Sequence, residues 1–201
     1  MKINKFDSNE EWMLARRGRI TGSRLKDIHV KRGTNEKIGY YQIIAERIAQ
    51  EAGDENPMER GHRLEEEAIE AFSKETGKEV DTSLVIWERD DNSSITISPD
   101  GMIGEKEAVE VKCLASARHI ESYLTKKYPK DYHEQILQYF IVNDSLEELH
   151  FVMYDPRMPE KLQLVTFTIL RTNIEDEVKE MLEYQEKKLE EINRIVTDLT
   201  F

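Results

Sequence analysis

The sequence predicts an α+β domain in which helices flank one central sheet. Helical periodicity fills the N-terminal part of the chain, short segments rich in Val, Ile, Thr and Trp follow, and the remainder alternates helical and strand patterns. No repeat, low-complexity tract or Pro/Gly/Ser-rich linker divides the 201 residues. We therefore expect one domain over residues 1–201, a length that one hydrophobic core can support.

Four helices are expected before the first strand. Ser8 begins a capping box that opens a short helix, and a second helix is expected near Ser23. Apolar residues at helical spacing predict a third helix over residues 36–52. The Asn-Pro pair at 56–57 provides a cap and a first-turn proline, so a fourth helix is expected from there to about Gly77.

After Gly77 the pattern changes from helical spacing to the alternation of strands. The segments with β-branched and aromatic residues between turn breaks are residues 79–89, 94–98 and 108–114. Two helices, two strands and a long terminal helix are expected after them, at residues 116–127 and 131–142, at 147–154 and 163–170, and from about Asn173. This order of elements is typical of an α+β domain with one sheet.

The charge of the chain is negative on average but unevenly distributed. Lys and Arg number 29 against 41 Asp and Glu, a net charge of −12, which argues against a protein that coats nucleic acid through global positive charge. Between Ala15 and Gly33, however, seven basic residues accompany one acid. A local basic surface for an anionic partner is therefore compatible with the sequence.

Cysteine usage and hydropathy indicate a cytoplasmic protein. The single cysteine, Cys113, cannot form an internal disulfide or a cysteine zinc cluster, which points to a reducing compartment. No apolar run reaches the roughly 18 residues of a membrane span, and the N-terminus lacks the apolar region of a signal peptide. We expect no membrane partner.

The candidate site lies where a strand breaks and the next one begins. In the segment over 108–113 the side-chain period of two places Glu110 and Lys112 on one face. Asp100 follows Pro99 at the end of the preceding strand, so a hairpin between the two segments would bring Asp100 and Glu110 together. Two carboxylates suit a hard cation such as Mg²⁺, and Lys112 could orient water or neutralise charge on a phosphate. A solvated strand face after an ordinary Pro-Asp-Gly turn explains the same spacing about equally well.

Four segments together resemble one nuclease family. The pattern D-G-x(8)-E-V-K, which begins at Asp100 and ends at Lys112, resembles the PD-(D/E)XK nuclease signature. Three further segments resemble the branch of lambda exonuclease and the YqaJ-type viral recombinases. They are W-x(3)-R-x-G-x-I-T-x-S from Trp12 to Ser23, G-x(3)-E from Gly61 to Glu65, and a later helix with Gln135. The resemblance covers roughly residues 12–142 and implies a restriction-endonuclease-like core with a central mixed sheet.

The resemblance assigns metal ligands and catalytic roles. It implies that Asp100, Glu110 and the backbone carbonyl of Val111 bind Mg²⁺, with Mn²⁺ as a substitute, and that Lys112 assists the attacking water. Glu65 would act as a supporting carboxylate that holds a second metal ion or water. His62 is a further candidate metal ligand, because it lies three residues before Glu65 and can share its helix face. Taken alone, Glu65 belongs to an acidic run of the kind that is usually solvated.

The resemblance also places DNA contacts on both sides of this core. Arg16 and Ser23 would bind the 5′-phosphate or the scissile strand, with Arg17 and Thr21 beside them; a basic surface helix is the alternative. The candidates in the later helix are Gln135 and Tyr139, which are spaced i, i+4 as in the Q-x(3)-Y pattern of RecB-like nucleases. The lambda-type branch more often has Gln-x-Gln, and Leu137 replaces its second Gln. Tyr139 is equally compatible with an ordinary core aromatic.

These residues lead to one principal function and two alternatives. The resemblance implies a Mg²⁺-dependent deoxyribonuclease, a 5′-to-3′ exonuclease that acts on linear double-stranded DNA ends and leaves 3′ single-stranded tails for phage-type recombination. It further implies a single-strand annealing protein as partner and a homo-oligomer, a trimeric ring, in a bacterial or phage-infected cell. The alternatives are a RecB-like or restriction-type nuclease of other polarity or endonucleolytic action, and a non-catalytic DNA-end binding protein on the same fold.

Overall fold

The structure, a computed structural model, describes Glu11, residues 35–48 and residues 57–200, and for residues 57–62, 193 and 195–200 it describes the backbone alone. The expected helices near Ser8 and Ser23 therefore lie outside the described residues, apart from Glu11, which is helical. The candidate DNA contacts Arg16, Arg17, Thr21 and Ser23 lie outside them as well.

Helices and strands of the described residues follow the predicted α+β order. The helices are α1 (Ile38–Ile48), α2 (Pro57–Thr76), α3 (Ser116–Thr125), α4 (His133–Val142) and α5 (Arg171–Thr200). The strands are β1 (Trp87–Arg89), β2 (Asn92–Ile97), β3 (Gly101–Ile103), β4 (Glu107–Lys112), β5 (Glu148–Tyr154) and β6 (Leu164–Leu170). The predicted fold class, a sheet flanked by helices, is confirmed.

The chain divides into two compact units. Of the described residues, the first comprises Glu11 and residues 35–48, 57–68, 112–127 and 153–165, and the second comprises residues 69–111, 128–152 and 166–200. In the first unit α1 packs against α3 through a small apolar cluster. Its buried members are Tyr41, Ala45, Ala117, Ile120 and Met158. The single-domain expectation stays a prediction.

The second unit carries most of a four-stranded sheet, in the order β3-β4-β5-β6, and a separate pair formed by β1 and β2. β3 runs antiparallel to β4, with Gly101 opposite Val109 and Ile103 opposite Glu107. The four central residues of β4, from Ala108 to Val111, are all buried, so this strand is covered on both faces. The strand that carries Glu110 is therefore a core strand.

The predicted strand over residues 79–89 is wrong for most of its length. Only β1 at its end is a strand; Leu84 and Ile86, which continue the apolar alternation, are 103% and 67% exposed. Asp81 forms an isolated bridge with Met102 of β3 through two backbone hydrogen bonds. Its carboxylate accepts hydrogen bonds from the backbone and hydroxyl of Ser83, a local turn that follows the bridge. The pairing with β3 does not extend past this single bridge, and alternation in the sequence does not encode where such pairing ends.

The short strand β3 was not predicted, because its first residue is a glycine that reads as a turn. A Cβ at Gly101 would lie 2.4 Å from the Cγ1 of Val80. Glycine therefore serves close packing at the start of β3, which is a common reason for glycine in a strand. The Asp-Gly pair of the signature places a carboxylate directly before a strand whose first residue could carry a Cβ only if Val80 moved.

The remaining elements agree with the predicted ones within a few residues. α4 is preceded by a 3-10 turn at Lys130–Tyr132, and α5 begins at Arg171 instead of Asn173. In the part of the chain that the structure describes, no helix combines the length and the hydropathy needed to cross a membrane.

Candidate active site

A buried glutamate is the centre of the candidate site. Glu110, in the middle of β4, is only 1% exposed. The Nε2 of Gln135 donates to its Oε1 at 2.7 Å, and the hydroxyl of Tyr139 donates to its Oε2. Both donors lie on α4, one turn apart, as the i, i+4 spacing predicted. The alternative of a solvated strand face is therefore wrong for Glu110.

These two hydrogen bonds compensate for much of the cost of burying the carboxylate. A buried carboxylate without partners is strongly destabilising, whereas charge-assisted hydrogen bonds offset its desolvation. Burial raises the pKa of Tyr139, and the nearby Glu110 carboxylate raises it further. The phenol therefore keeps its proton and remains a donor. Tyr139 is fully buried, so it is a core aromatic and a polar partner at once.

The expected hairpin between residues 94–98 and 108–113 is wrong, because β2 pairs with β1. A hairpin of β3 and β4 brings Asp100 to the same place instead. Gly101 pairs with Val109, so the antiparallel register continues to place Asp100 opposite Glu110. The half-buried Asp100 accepts a hydrogen bond of 2.7 Å at its Oδ2 from the backbone N–H of Val111. This bond ties the carboxylate that precedes β3 to the strand that carries Glu110.

The donor set of this hairpin fits a hard divalent cation. Asp100 and Glu110 offer carboxylate oxygens. Val111, the residue after Glu110 in β4, offers its backbone carbonyl oxygen. Each carboxylate oxygen has two lone pairs, so one hydrogen bond at an oxygen leaves capacity for a metal ion. Oxygen-only ligands are what Mg²⁺ prefers, and Mn²⁺ accepts the same set.

Lys112 is the last residue of β4, two residues after Glu110. Strand alternation points both side chains to the same side of the strand, as predicted, and Lys112 is half-buried. Glu65 lies in α2 within the first unit and is half-buried, unlike its exposed neighbours Glu66 and Glu67. The side chain of His62 is outside the described residues. The roles of these residues stay predictions.

The side chain of Gln138 forms hydrogen bonds with β2 and α5. The sequence left open that Gln138 compensates for Leu137, which replaces the second Gln of the lambda-type pattern and is buried. Gln138 instead donates to the backbone carbonyl of Thr96 in β2 at 3.2 Å and accepts a 3.1 Å bond from Gln185. Its amide therefore joins α4 to β2 and to α5.

A second polar cluster, which sequence reasoning missed, lies on β4 and β5. The ligand atoms of Glu107, Glu148 and His150 are within 4.8 Å of one another. Glu107 is three residues before Glu110, so alternation directs it to the opposite side of β4. The Glu-x-His pattern inside the predicted strand 147–154 was the available signal, since period two places both residues on one face.

Lys78 supplies the positive charge of this cluster. Its ammonium forms an ion pair with Glu107 and lies 3.3 Å from Nε2 of His150, which itself is 2.8 Å from the same Glu107 oxygen. The positive charge that a metal ion would bring is thus already provided by the lysine. An ion-pair network therefore accounts for this cluster.

The network shifts the titration of one member. Burial would raise the pKa of Glu107, but hydrogen bonds and charge from Lys78 and His150 outweigh it and hold that pKa below its ordinary value of 4.5. Because the folded pKa is below the unfolded one, the ion pair contributes stability above about pH 4.5 and loses it as the pH falls through the folded value.

Comparisons with known proteins give a family and a fold. A profile of the YqaJ-like viral recombinase domain matches residues 11–145. Two crystal structures of the alkaline exonuclease LHK-Exo from Laribacter hongkongensis, one in complex with dAMP, are 30% identical to the chain, with a TM-score of 0.57. Each match covers 96% of this chain and 100% of that chain.

A phage related exonuclease from Haemophilus somnus 129PT is 16% identical, with a TM-score of 0.49, and the match covers 89% of this chain and 94% of that chain. No curated protein sequence matches significantly. The similarity to LHK-Exo over nearly the whole chain confirms the predicted nuclease-type α+β fold.

The ion pair of Glu107 predicts a specific pH dependence of stability. Glu107→Gln should flatten the loss of unfolding free energy below pH 5, because the variant no longer takes up the proton that breaks the pair with Lys78. Urea unfolding of both proteins between about pH 3 and pH 6 measures the two slopes. Glu105→Gln, an exposed residue of the neighbouring turn, is the control and should keep the wild-type slope. Equal slopes for Glu107→Gln and wild type would contradict the assignment.

Proposed function

Because the chain belongs to the YqaJ-like viral recombinase family, we propose that it is a Mg²⁺-dependent exonuclease that degrades linear double-stranded DNA from the 5′ end. Deoxyribonuclease activity follows from the family and from the similarity to alkaline exonucleases. The products would be mononucleotides and a 3′ single-stranded tail. The complex of LHK-Exo with dAMP, a mononucleotide, supports the release of mononucleotides.

The observation that carries the proposal is the buried Glu110 beside Asp100. A glutamate in a core strand that is 1% exposed is a poor choice for stability, since an apolar residue of similar volume often does as well or better. Gln135 and Tyr139 donate hydrogen bonds to the Glu110 carboxylate, and the Val111 backbone N–H donates to Asp100. A metal site is the function that best explains why these polar groups lie inside the sheet.

Each residue of the candidate site would then have a defined role. Asp100, Glu110 and the Val111 carbonyl would hold the metal ion, and Gln135 with Tyr139 would fix the direction of the Glu110 carboxylate. A bound Mg²⁺ would supply Lewis-acid polarisation of the phosphate and a more acidic water. The Lys112 ammonium would orient the attacking water or offset charge on the phosphate oxygens.

The predicted DNA contacts are proposed with one change. Arg16 and Ser23, with Arg17 and Thr21, would bind the 5′-phosphate of the DNA end. Gln135 is half-buried and could contact the strand as well as Glu110. For the fully buried Tyr139 we propose an effect on DNA cleavage through Glu110 in place of a direct contact. Glu65 and His62 would provide additional metal ligands.

The wider setting is proposed from the family resemblance. The protein would assemble as a homo-oligomer, a trimeric ring around DNA, and pass its 3′ tails to a single-strand annealing protein. It would act in the cytoplasm of a bacterial or phage-infected cell.

One observation favours a second candidate function. Both members of the Q-x(3)-Y pair reach Glu110, and this pattern resembles RecB-like nucleases more than the lambda-type branch. A nuclease of other polarity, or one that cuts internally, therefore remains the alternative. The expectation of a DNA-end binding protein without catalysis is not favoured, because the family and the similarity to alkaline exonucleases support a deoxyribonuclease.

The metal ligands can be tested by isosteric amides. Asp100→Asn and Glu110→Gln should each reduce Mg²⁺-dependent nucleotide release from linear duplex by at least about 100-fold, the upper end of losses seen for outer-shell partners of metal sites. Release of acid-soluble nucleotides measures the rate, and circular dichroism verifies folding. Glu105→Gln, on the same hairpin but exposed, should retain wild-type activity. A folded Asp100→Asn protein that degrades DNA at the wild-type rate would contradict the metal assignment.

Polarity and end dependence can be tested with a substrate panel. We expect linear duplex bearing a 5′-phosphate to be digested faster than duplex bearing a 5′-hydroxyl, with label released from the 5′ end first, and closed circular DNA to be untouched. Digestion of the circle would support endonucleolytic action, and release from the 3′ end would support the other polarity. Indifference to the 5′ group would contradict the role of Arg16 and Ser23.

A further inference from the structure

The β1–β2 pair docks on the helix that holds both donors to Glu110. The amide of Gln138 on α4 donates to the Thr96 carbonyl of β2. The guanidinium of Arg89 in β1 donates to the Ile141 carbonyl near the end of α4. A two-stranded pair is marginally stable by itself, so these contacts with α4 help to hold β1 and β2 in place.

Trp87 in β1 is the member of this pair that contacts a donor directly. Its ring lies 6.1 Å from the ring of Tyr139, at an interplanar angle of 83°. This is the edge-to-face arrangement that aromatic pairs favour. The ring of Tyr139 in turn ends in the hydroxyl that donates to Oε2 of Glu110. Trp87, Tyr139 and Glu110 therefore form one continuous series of contacts.

The position of the Tyr139 hydroxyl depends on how its ring is held. The hydroxyl sits at the far end of the phenol, so a small rotation about the side-chain torsions moves the oxygen away from the carboxylate. Gln135, by contrast, approaches the other oxygen, Oε1, from one turn earlier on α4. Loosening the ring would weaken the hydrogen bond at Oε2 and leave the Glu110 carboxylate less firmly oriented.

We propose that Trp87 is a positioning residue of the nuclease, which fixes the Tyr139 phenol against Glu110 and through it sets the affinity of the site for its divalent cation. The inference rests on the proposed function, since it concerns the same metal site. It predicts an effect on metal binding that ordinary packing of Trp87 would not produce.

The primary test is metal binding to the full chain without DNA. Free Mn²⁺ counted by electron paramagnetic resonance, or calorimetry with Mn²⁺, gives the dissociation constant. Trp87→Leu should weaken Mn²⁺ binding roughly two- to tenfold, the range that corresponds to an aromatic pair. Trp87→Phe, which keeps an aromatic ring, should recover most of the affinity. In cleavage, the Mg²⁺ concentration for half-maximal rate should rise by the same factor at unchanged KM for DNA.

A double-mutant cycle identifies the route of the effect. In a Tyr139→Phe background the hydroxyl is absent, so Trp87→Leu should no longer change Mn²⁺ affinity. Ile86→Ala is the matched control: it is the adjacent residue with a side chain 67% exposed, and it should leave Mn²⁺ affinity at the wild-type value. If Trp87→Leu does not fold, Trp87→Met, with a longer apolar side chain, takes its place in the cycle.

The outcomes separate this inference from the function on which it rests. Wild-type protein that cleaves DNA and binds Mn²⁺, with Trp87→Leu binding it equally well despite a lower melting temperature, would overturn the inference alone. An effect of equal size in the Tyr139→Phe background would overturn it too, because the route would bypass the hydroxyl. Wild-type protein that neither binds Mn²⁺ nor cleaves DNA would contradict the proposed function itself.

Discussion

Gln135 and Tyr139 both donate to a carboxylate that lies inside a sheet, and the candidate site depends on that arrangement. Burying the Glu110 carboxylate is unfavourable unless donors meet its oxygens, and removing one partner of such a group typically costs about 1–3 kcal/mol or more. The requirement determines the face that α4 turns to β4. It also makes the β1–β2 pair relevant to the site, because Trp87 packs on one of the two donors.

Strand alternation separates two kinds of charge chemistry on β4. On one side, Glu110 accepts hydrogen bonds from the neutral side chains of Gln135 and Tyr139. On the other side, Glu107 is neutralised by the ammonium of Lys78, and His150 shares the same oxygen. Two acidic residues three positions apart therefore serve different purposes. The net charge of −12 is compatible with a DNA enzyme, since acids such as Glu107 are paired internally with basic side chains.

What could be predicted from the sequence was local, and what could not depends on distant contacts. The Asn-Pro pair at 56–57 predicted α2, and helical spacing predicted α1 and the shared face of Gln135 and Tyr139. Period two predicted the common side of Glu110 and Lys112. The strand β3 was missed because Gly101 was interpreted as a turn residue. In the structure this position is a glycine because the Val80 side chain packs against it, a contact that the sequence does not reveal. The overlong strand before β1 and the docking of Trp87 likewise follow from which segments pair or pack, which periodicity does not encode.

The central claim is that Asp100 and Glu110, and not the cluster around His150, form the metal site. Anomalous diffraction from crystals of the full chain grown with Mn²⁺ tests it most directly. Our account predicts a peak beside the Asp100 and Glu110 carboxylates and the Val111 carbonyl, with Lys78 still paired to Glu107. A peak between Glu107, Glu148 and His150, with Lys78 displaced and no density at Asp100, would contradict it.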